Sequence, residues 1–176
     1  LLSCSDAVTP QGVLAVLPIP QQAVPEATSF MLVLDHIQDP GNLGTLLRTA
    51  RAAGVDAVLL TEGTVDPYNP KVVRAGMGAQ FALPVIEVGN TELPGMLAGK
   101  AIWLADSGGG IPYDEVDWTM PSALVIGNEA HGSSPGVEKL ADGKVLVPMP
   151  GSAESLNAAV AGGVLMFEIV RQRKQS

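Results

Sequence analysis

Short apolar runs and amphipathic stretches alternate along most of the chain, and that alternation predicts an α/β fold. FMLVLD at 30–35 is a continuous apolar run followed by the turn residues Asp39-Pro40-Gly41-Asn42, so it reads as a buried strand handing over to a helix. In that helix Leu43, Leu46, Leu47, Ala50 and Ala53 recur at steps of three and four, and Gly54 suits its C-terminal end. DAVLL (56–60), PVIEV (84–88), AIWLAD (101–106), SALVIG (122–127) and KVLVP (144–148) read as further strands, with a helix across 70–79. A last helix is expected from Ser155, its N-cap, to about Arg171, with Leu156, Val160, Gly163, Val164 and Phe167 on one side. Short apolar strands separated by helices predict a mostly parallel sheet covered on both faces.

The 176 residues are about the size of one domain. Residues 1–29 differ from the rest. They are rich in Pro, Ser, Thr and Gln, with Pro18, Pro20 and Pro25 too close together for a helix, and they read as a linker. The division expected is thus a linker over 1–29 and a folded unit over 30–176. Because the chain starts at Leu1, the linker is expected to follow an N-terminal RNA-binding domain that the sequence lacks.

No apolar run reaches the ~18 residues of a membrane span. The single Cys4 cannot form an internal disulfide, and with only His36 and His131 no zinc-ligand spacing can be assembled. Neither membrane nor metal is expected, and with no secretion signal a cytoplasmic placement follows. Ten Lys and Arg against 18 Asp and Glu leave a formal charge of −8, so bulk electrostatics argue against a general grip on nucleic acid. Four of the ten basic residues, Arg48, Arg51, Lys71 and Arg74, nevertheless fall close together in sequence. They are either a local RNA-facing patch or a solvated helical face.

Three segments at expected strand ends are polar in ways that packing does not require, and in parallel sheets ligands bind at such ends. They are LDHIQDPGNLGTLLRTARAAG (34–54), LVIGNEAHGSSP (124–135) and VLVPMPGSAESLNAAVAGGVL (145–165). None is a phosphate-binding GxGxxG or GxxxxGK[ST] loop. Read singly, Asn42 and Ser155 are good helix caps, Glu129 an exposed turn residue and Arg48 a surface cation.

Together, in this order over residues 30–172, the three segments resemble the motifs of the SpoU/TrmH family of RNA ribose 2'-O-methyltransferases, within the SPOUT superfamily. The resemblance implies a C-terminal trefoil knot, which bottom-up rules would not produce, an S-adenosylmethionine site in that knot and an obligate homodimer. It makes Asn42 and Arg48 the first motif's catalytic pair, Glu129 the second motif's carboxylate, and Ser155 and Asn157 the polar pair of the third. The cofactor is implied to lie mainly against the backbone of Leu104, Ala105 and Asp106, of Ile126, Gly127, Asn128 and Glu129, of Val147 to Met149, and of Leu156. A bend at Gly127 is expected to let that ligand approach the backbone closely. Asp106 reads equally as a ribose contact or an acidic turn residue.

The function expected is S-adenosylmethionine-dependent methylation of a ribose hydroxyl, in ribosomal rather than transfer RNA; the alternatives are a transfer RNA enzyme and a non-catalytic RNA-binding protein of the same fold. A guanidinium stays protonated and is a poor base, which favours an arginine such as Arg48 as an electrostatic clamp. His36 and His131 receive no role, and 107–120 matches no motif.

Overall fold

The computed structural model describes residues 15–175. The expectations that fall on 1–14, including Cys4, lie outside the described residues. Seven strands form one sheet: β1 (Phe30–Leu34), β2 (Ala57–Thr61), β3 (Val85–Val88), β4 (Ala101–Ala105), β5 (Ile111–Pro112), β6 (Ser122–Ile126) and β7 (Gly143–Leu146). Their order is β3-β2-β1-β6-β4-β7-β5, and every neighbouring pair is parallel. The helices are α1 (Pro40–Ala53), α2 (Pro70–Gly76), α3 (Leu93–Met96), α4 (Pro135–Glu138) and α5 (Ala158–Arg173).

The central strands β1, β2 and β6 are buried at every residue, as a sheet covered on both sides requires. Side chains alternate across the sheet. Phe30, Leu32 and Leu34 therefore join the core under α1 and α5, while Met31 and Val33 join a second core with Leu93, Leu97 and Val137.

Helix α1 starts as its sequence dictates. Asp39 caps it by accepting from the Asn42 amide at 2.7 Å, Pro40 occupies the first turn, and Gly54 ends it at φ 73°. Its Gly44 is required by close helix contact, since a Cβ there would lie 2.5 Å from Ala75 Cβ and 2.7 Å from the Val72 carbonyl of α2.

Several boundaries differ from the expected ones. Helix α2 stops at Gly76 because Met77 turns left-handed at φ 51°, and a 3₁₀ turn at Ala79–Phe81 follows. The strand expected at 144–148 is Gly143–Leu146. The final helix begins after Asn157, not at Ser155: the Asn157 side chain accepts from the amides of Ala159 (2.9 Å) and Val160 (3.2 Å) and is the N-cap.

The buried face of that helix is also not the expected one. Ala159, Gly162, Leu165, Met166 and Ile169 face the core, whereas Val160 and Phe167 are 53% and 51% exposed. Helix α5 is apolar on nearly all sides until Glu168, so periodicity offered two stripes and could not choose between them.

The unassigned segment 107–120 closes the sheet edge and anchors α5. Strand β5 pairs with β7, and Trp118 is fully buried with Nε1 donating to the Tyr113 carbonyl at 2.9 Å. From α5, Gln172 and Arg173 donate to the carbonyls of Val116 and Trp118. Residues 15–28 hold no helix or strand, but Gln22 is tied at both ends: its Nε2 donates to the Gln80 carbonyl and its Oε1 accepts from the Val85 amide.

Four carboxylates sit below their ordinary pKa range, one of them the exposed Asp117, lowered by hydrogen bonds from Thr119. Asp35 does so although burial raises it, because bonds from Thr61, Ser134 and His36 outweigh burial; Asp106 is lowered by Lys144 and Glu168 by Arg171. A carboxyl depressed on folding stabilises above its unfolded pKa and loses that contribution as pH falls through the folded value. Denaturant unfolding at a series of pH values should therefore give a stability that is level above about pH 5 and declines below about pH 4.

Candidate active site

A cavity of about 650 Å³ opens at the carboxyl ends of β4, β6 and β7 and is roofed by the start of α5. Ligand pockets in parallel sheets sit at this edge, and the volume falls within the usual range of about 300–1,000 Å³. Leu104, Ala105 and Asp106 form one wall, Ile126, Gly127, Asn128 and Glu129 a second, and Val147, Met149, Ser155, Leu156 and Asn157 a third. The structure thus brings every residue expected at the cofactor except Pro148, and three of the five expected at the chemistry, to one cavity.

Asn42 joins the cavity edge from α1 through a chain of three side chains. Asn157 Nδ2 donates to Asn42 Oδ1 at 2.9 Å, and Asn42 Nδ2 donates to Glu129 Oε1 at 2.5 Å. The direction of that chain is fixed at its far end. Asn157 Oδ1 already accepts two backbone amides as the α5 cap, so its amide nitrogen must face Asn42, and Asn42 must in turn offer its own nitrogen to Glu129. Glu129 Oε1 is thereby the acceptor at which the chain ends. Ser155 lines the cavity at its exposed end.

Arg48 is not part of the cavity. It is exposed on α1 four residues after Gly44, and among the described residues it makes no hydrogen bond or ion pair. Arg51, Lys71 and Arg74 are likewise exposed, on the packed pair α1 and α2.

Asp106 is occupied within the fold. Its Oδ2 accepts from Lys144 Nζ at 2.6 Å and its Oδ1 from the Gly108 amide at 2.7 Å, and Glu138 lies 3.7 Å from the same lysine. Asp106 is thus a turn-forming carboxylate that also stands on the cavity wall.

Gly127 has a reason that precedes any ligand. A Cβ there would lie 2.6 Å from the backbone of both Gly132 and Ser133, so the loop could not close. Gly127→Val is expected to disrupt the loop itself and does not isolate ligand approach, contrary to the sequence expectation.

Sequence reasoning missed the closing side of the loop, Gly132 and Ser133, and the inner wall, Glu138, Ala161 and Leu165. The helical spacing of Ala158, Ala161 and Leu165 was a usable signal for that wall. It also missed Asp35, which is fully buried and accepts from Thr61 Oγ1 at 2.5 Å and from the Ser134 amide at 2.6 Å. Among the described residues no group of His, Cys, Asp and Glu is placed to hold a metal, and no helix is long and apolar enough to cross a membrane.

Residues 29–167 match the SpoU rRNA Methylase family. The chain is 37% identical over 170 residues to the 23S rRNA (guanosine(2553)-2'-O)-methyltransferase RlmP of Bacillus subtilis, covering 94% of this chain and 67% of that protein. It is 34% identical over 229 residues to human mitochondrial rRNA methyltransferase 3, covering 96% of this chain and 54% of that one. Among solved structures, the SpoU methyltransferase AviRb from Streptomyces viridochromogenes in complex with AdoMet superposes with a TM-score of 0.78 at 32% identity, over 87% of this chain and 64% of that one. The chain thus spans roughly half to two thirds of the length of these relatives. Fold, motif order and cavity agree with this likeness, and the chain belongs to the SpoU rRNA methylase family.

Proposed function

We propose that this chain is the catalytic unit of an S-adenosylmethionine-dependent methyltransferase acting on a ribose 2'-hydroxyl of ribosomal RNA. The observation that carries the reading is the cavity ending on the directed chain from Asn157 through Asn42 to Glu129. The family and its rRNA-modifying relatives supply the substrate class. The reading keeps the cytoplasmic placement and the trefoil path through the third motif as parts of the same proposal.

The residues present fit the cofactor. Leu104, Ile126, Val147 and Leu156 give an apolar lining for a flat heterocycle, while backbone and the Asp106 and Glu129 carboxylates supply polar partners at the rim. When bound, S-adenosylmethionine would supply a methyl on a sulfonium: the ribose oxygen would take the methyl as its proton passes to the Glu129 carboxylate or to solvent, and the carbon–sulfur electron pair would stay with the departing thioether. Asn42 and Asn157 hold Glu129 as an acceptor at the cavity edge, where it orients the ribose hydroxyl. Arg48 clamps RNA phosphate and the oxygen that develops negative charge, a planar fork of donors suited to both.

Arg48 lies outside the cavity of its own chain, so in this reading a second copy delivers it. A symmetric dimer is supported by the apolar face that α5 turns outward, with the exposed Val160 and Phe167. Sedimentation should give twice the 18.1 kDa chain mass. Phe167→Glu should shift the species toward monomer and lower methyl transfer in parallel; a monomeric wild type with full activity would remove the shared site.

The acidic balance leaves RNA affinity to the patch formed by Arg48, Arg51, Lys71 and Arg74. The function is tested by calorimetry with S-adenosylmethionine followed by transfer of labelled methyl to unmodified 23S rRNA. Binding at one site per chain and label on RNA are expected. Absence of both would refute the reading.

A further inference from the structure

We infer that Asp35 is the positioning residue of the cofactor loop: from the end of β1 its buried carboxylate pins residues 127–134 in the form that walls the cavity. The inference rests on the reading of the cavity as the S-adenosylmethionine site, and it adds a residue that the motif carry-over left without a role.

Asp35 is the first residue beyond β1, and its amide continues the ladder by donating to the Ile126 carbonyl at 2.9 Å. Its side chain is fully buried, and a carboxylate so placed is costly unless its oxygens are satisfied. Both oxygens are. Oδ1 accepts from Thr61 Oγ1 at the end of β2 and from His36 Nδ1 at 2.9 Å, while Oδ2 accepts from the Ser134 amide. Ser134 is the residue at which the 127–133 loop enters α4, so this single bond fixes the far end of the loop.

The near end is fixed by the ladder itself, and the middle by Asn128. Its Nδ2 donates to the His36 carbonyl at 3.0 Å, and its Oδ1 gathers the amides of Ala130 and His131. All three tethers lead back to the end of β1 or to its neighbour β6. The loop between them supplies a continuous stretch of cavity wall from Gly127 to Ser133, yet its own side chains are largely exposed. Little apolar burial holds it. Release of the Ser134 tether should therefore loosen the wall while leaving the two cores intact.

Glu129 has a tether of its own through Asn42, so the cost should fall on cofactor binding and less on the chemical step. The carboxylate acts as an acceptor of fixed geometry, and its charge is not needed. In Asp35→Asn the amide oxygen can still accept from Ser134, while its nitrogen faces the Thr61 hydroxyl and His36 Nδ1, whose neutral ring can present an acceptor there. Asp35→Ala has no acceptor to offer.

The test compares wild type, Asp35→Asn, Asp35→Ala and Ser134→Pro. The last removes both the tethered N–H and the Ser134 hydroxyl, the two groups through which Ser134 meets Asp35, at a residue whose φ of −64° suits proline. Calorimetry with S-adenosylmethionine, steady-state kinetics and hydrogen exchange over 128–134 in the ligand-free protein are read together. Asp35→Ala and Ser134→Pro should raise Kd and KM for S-adenosylmethionine about tenfold or more, with kcat within about threefold and faster loop exchange, while Asp35→Asn stays within about threefold of wild type. If Asp35→Ala does not fold, Ser134→Pro decides. Folded variants with unchanged affinity and exchange overturn the inference, as does an Asp35→Asn that loses as much as Asp35→Ala. A wild type that does not bind S-adenosylmethionine overturns the functional reading instead, and loop exchange in the ligand-free variants still tests the tether.

Discussion

Asn157→Asp should leave the protein folded and as stable as wild type within about 1 kcal/mol, yet lower methyl transfer by about a hundredfold or more. Aspartate caps a helix as well as asparagine, so the amides of Ala159 and Val160 keep their acceptor. What changes is the other end of the side chain. Asn157 Nδ2 now donates to Asn42 Oδ1, and a carboxylate there would set two oxygens against each other. Asn42 could relieve that contact only by rotating its amide, which would turn Oδ1 toward the Glu129 carboxylate it now serves as a donor. Either arrangement breaks the chain. Thermal unfolding alongside labelled-methyl transfer checks both halves of the expectation, and full activity in the variant would show that the directed chain is dispensable.

Arg48→Ala should lose methyl transfer by a factor of about a thousand while binding S-adenosylmethionine with wild-type affinity. Arg48 touches no wall of the cavity and its side chain makes no hydrogen bond or ion pair among the described residues, so its removal takes nothing from cofactor binding or from the cores. Lysine should restore only part of the rate, because a point charge lacks the planar fork that grips phosphate and alkoxide together. Mixing Arg48→Ala with an Asn157→Asp chain offers a sharper form of the experiment. If Arg48 acts across the dimer, each defective chain supplies what the other lacks, and heterodimers should recover up to about half the activity of one wild-type dimer.

The sheet was legible because buried parallel strands write themselves as uninterrupted apolar runs: FMLVL and SALVI are buried at every position. The two-residue β5 left no such run, and 107–120 found its role only through Trp118 packing and bonds from α5 that arise 50 residues and more along the chain. Helix α5 was legible as a helix but not in orientation, since Leu165, Met166 and Ile169 and the outward Val160 and Phe167 are equally apolar. The sequence Ser155-Leu156-Asn157 offers two capping residues, and only the geometry of the first turn selects the second.

At the site, the residues expected from the three motifs converge because each motif ends a strand at the same edge of a parallel sheet. Arg48 is the exception, expected beside Asn42 but carried elsewhere, because six residues take the helix almost two turns on and to a different face. Asp35 escaped notice because a lone acid after an apolar run reads as a turn residue. Its importance lies in partners 26 and 99 residues away.

The central claim is that the acceptor is a ribose oxygen, and alkaline hydrolysis of the methylated product tests it most directly. A free 2'-hydroxyl lets base cleave the neighbouring phosphodiester, and a methylated one does not. Unmodified 23S rRNA incubated with the protein and labelled S-adenosylmethionine should therefore yield its label in an alkali-resistant dinucleotide. Label released in mononucleotides would place the methyl on a base and contradict the account.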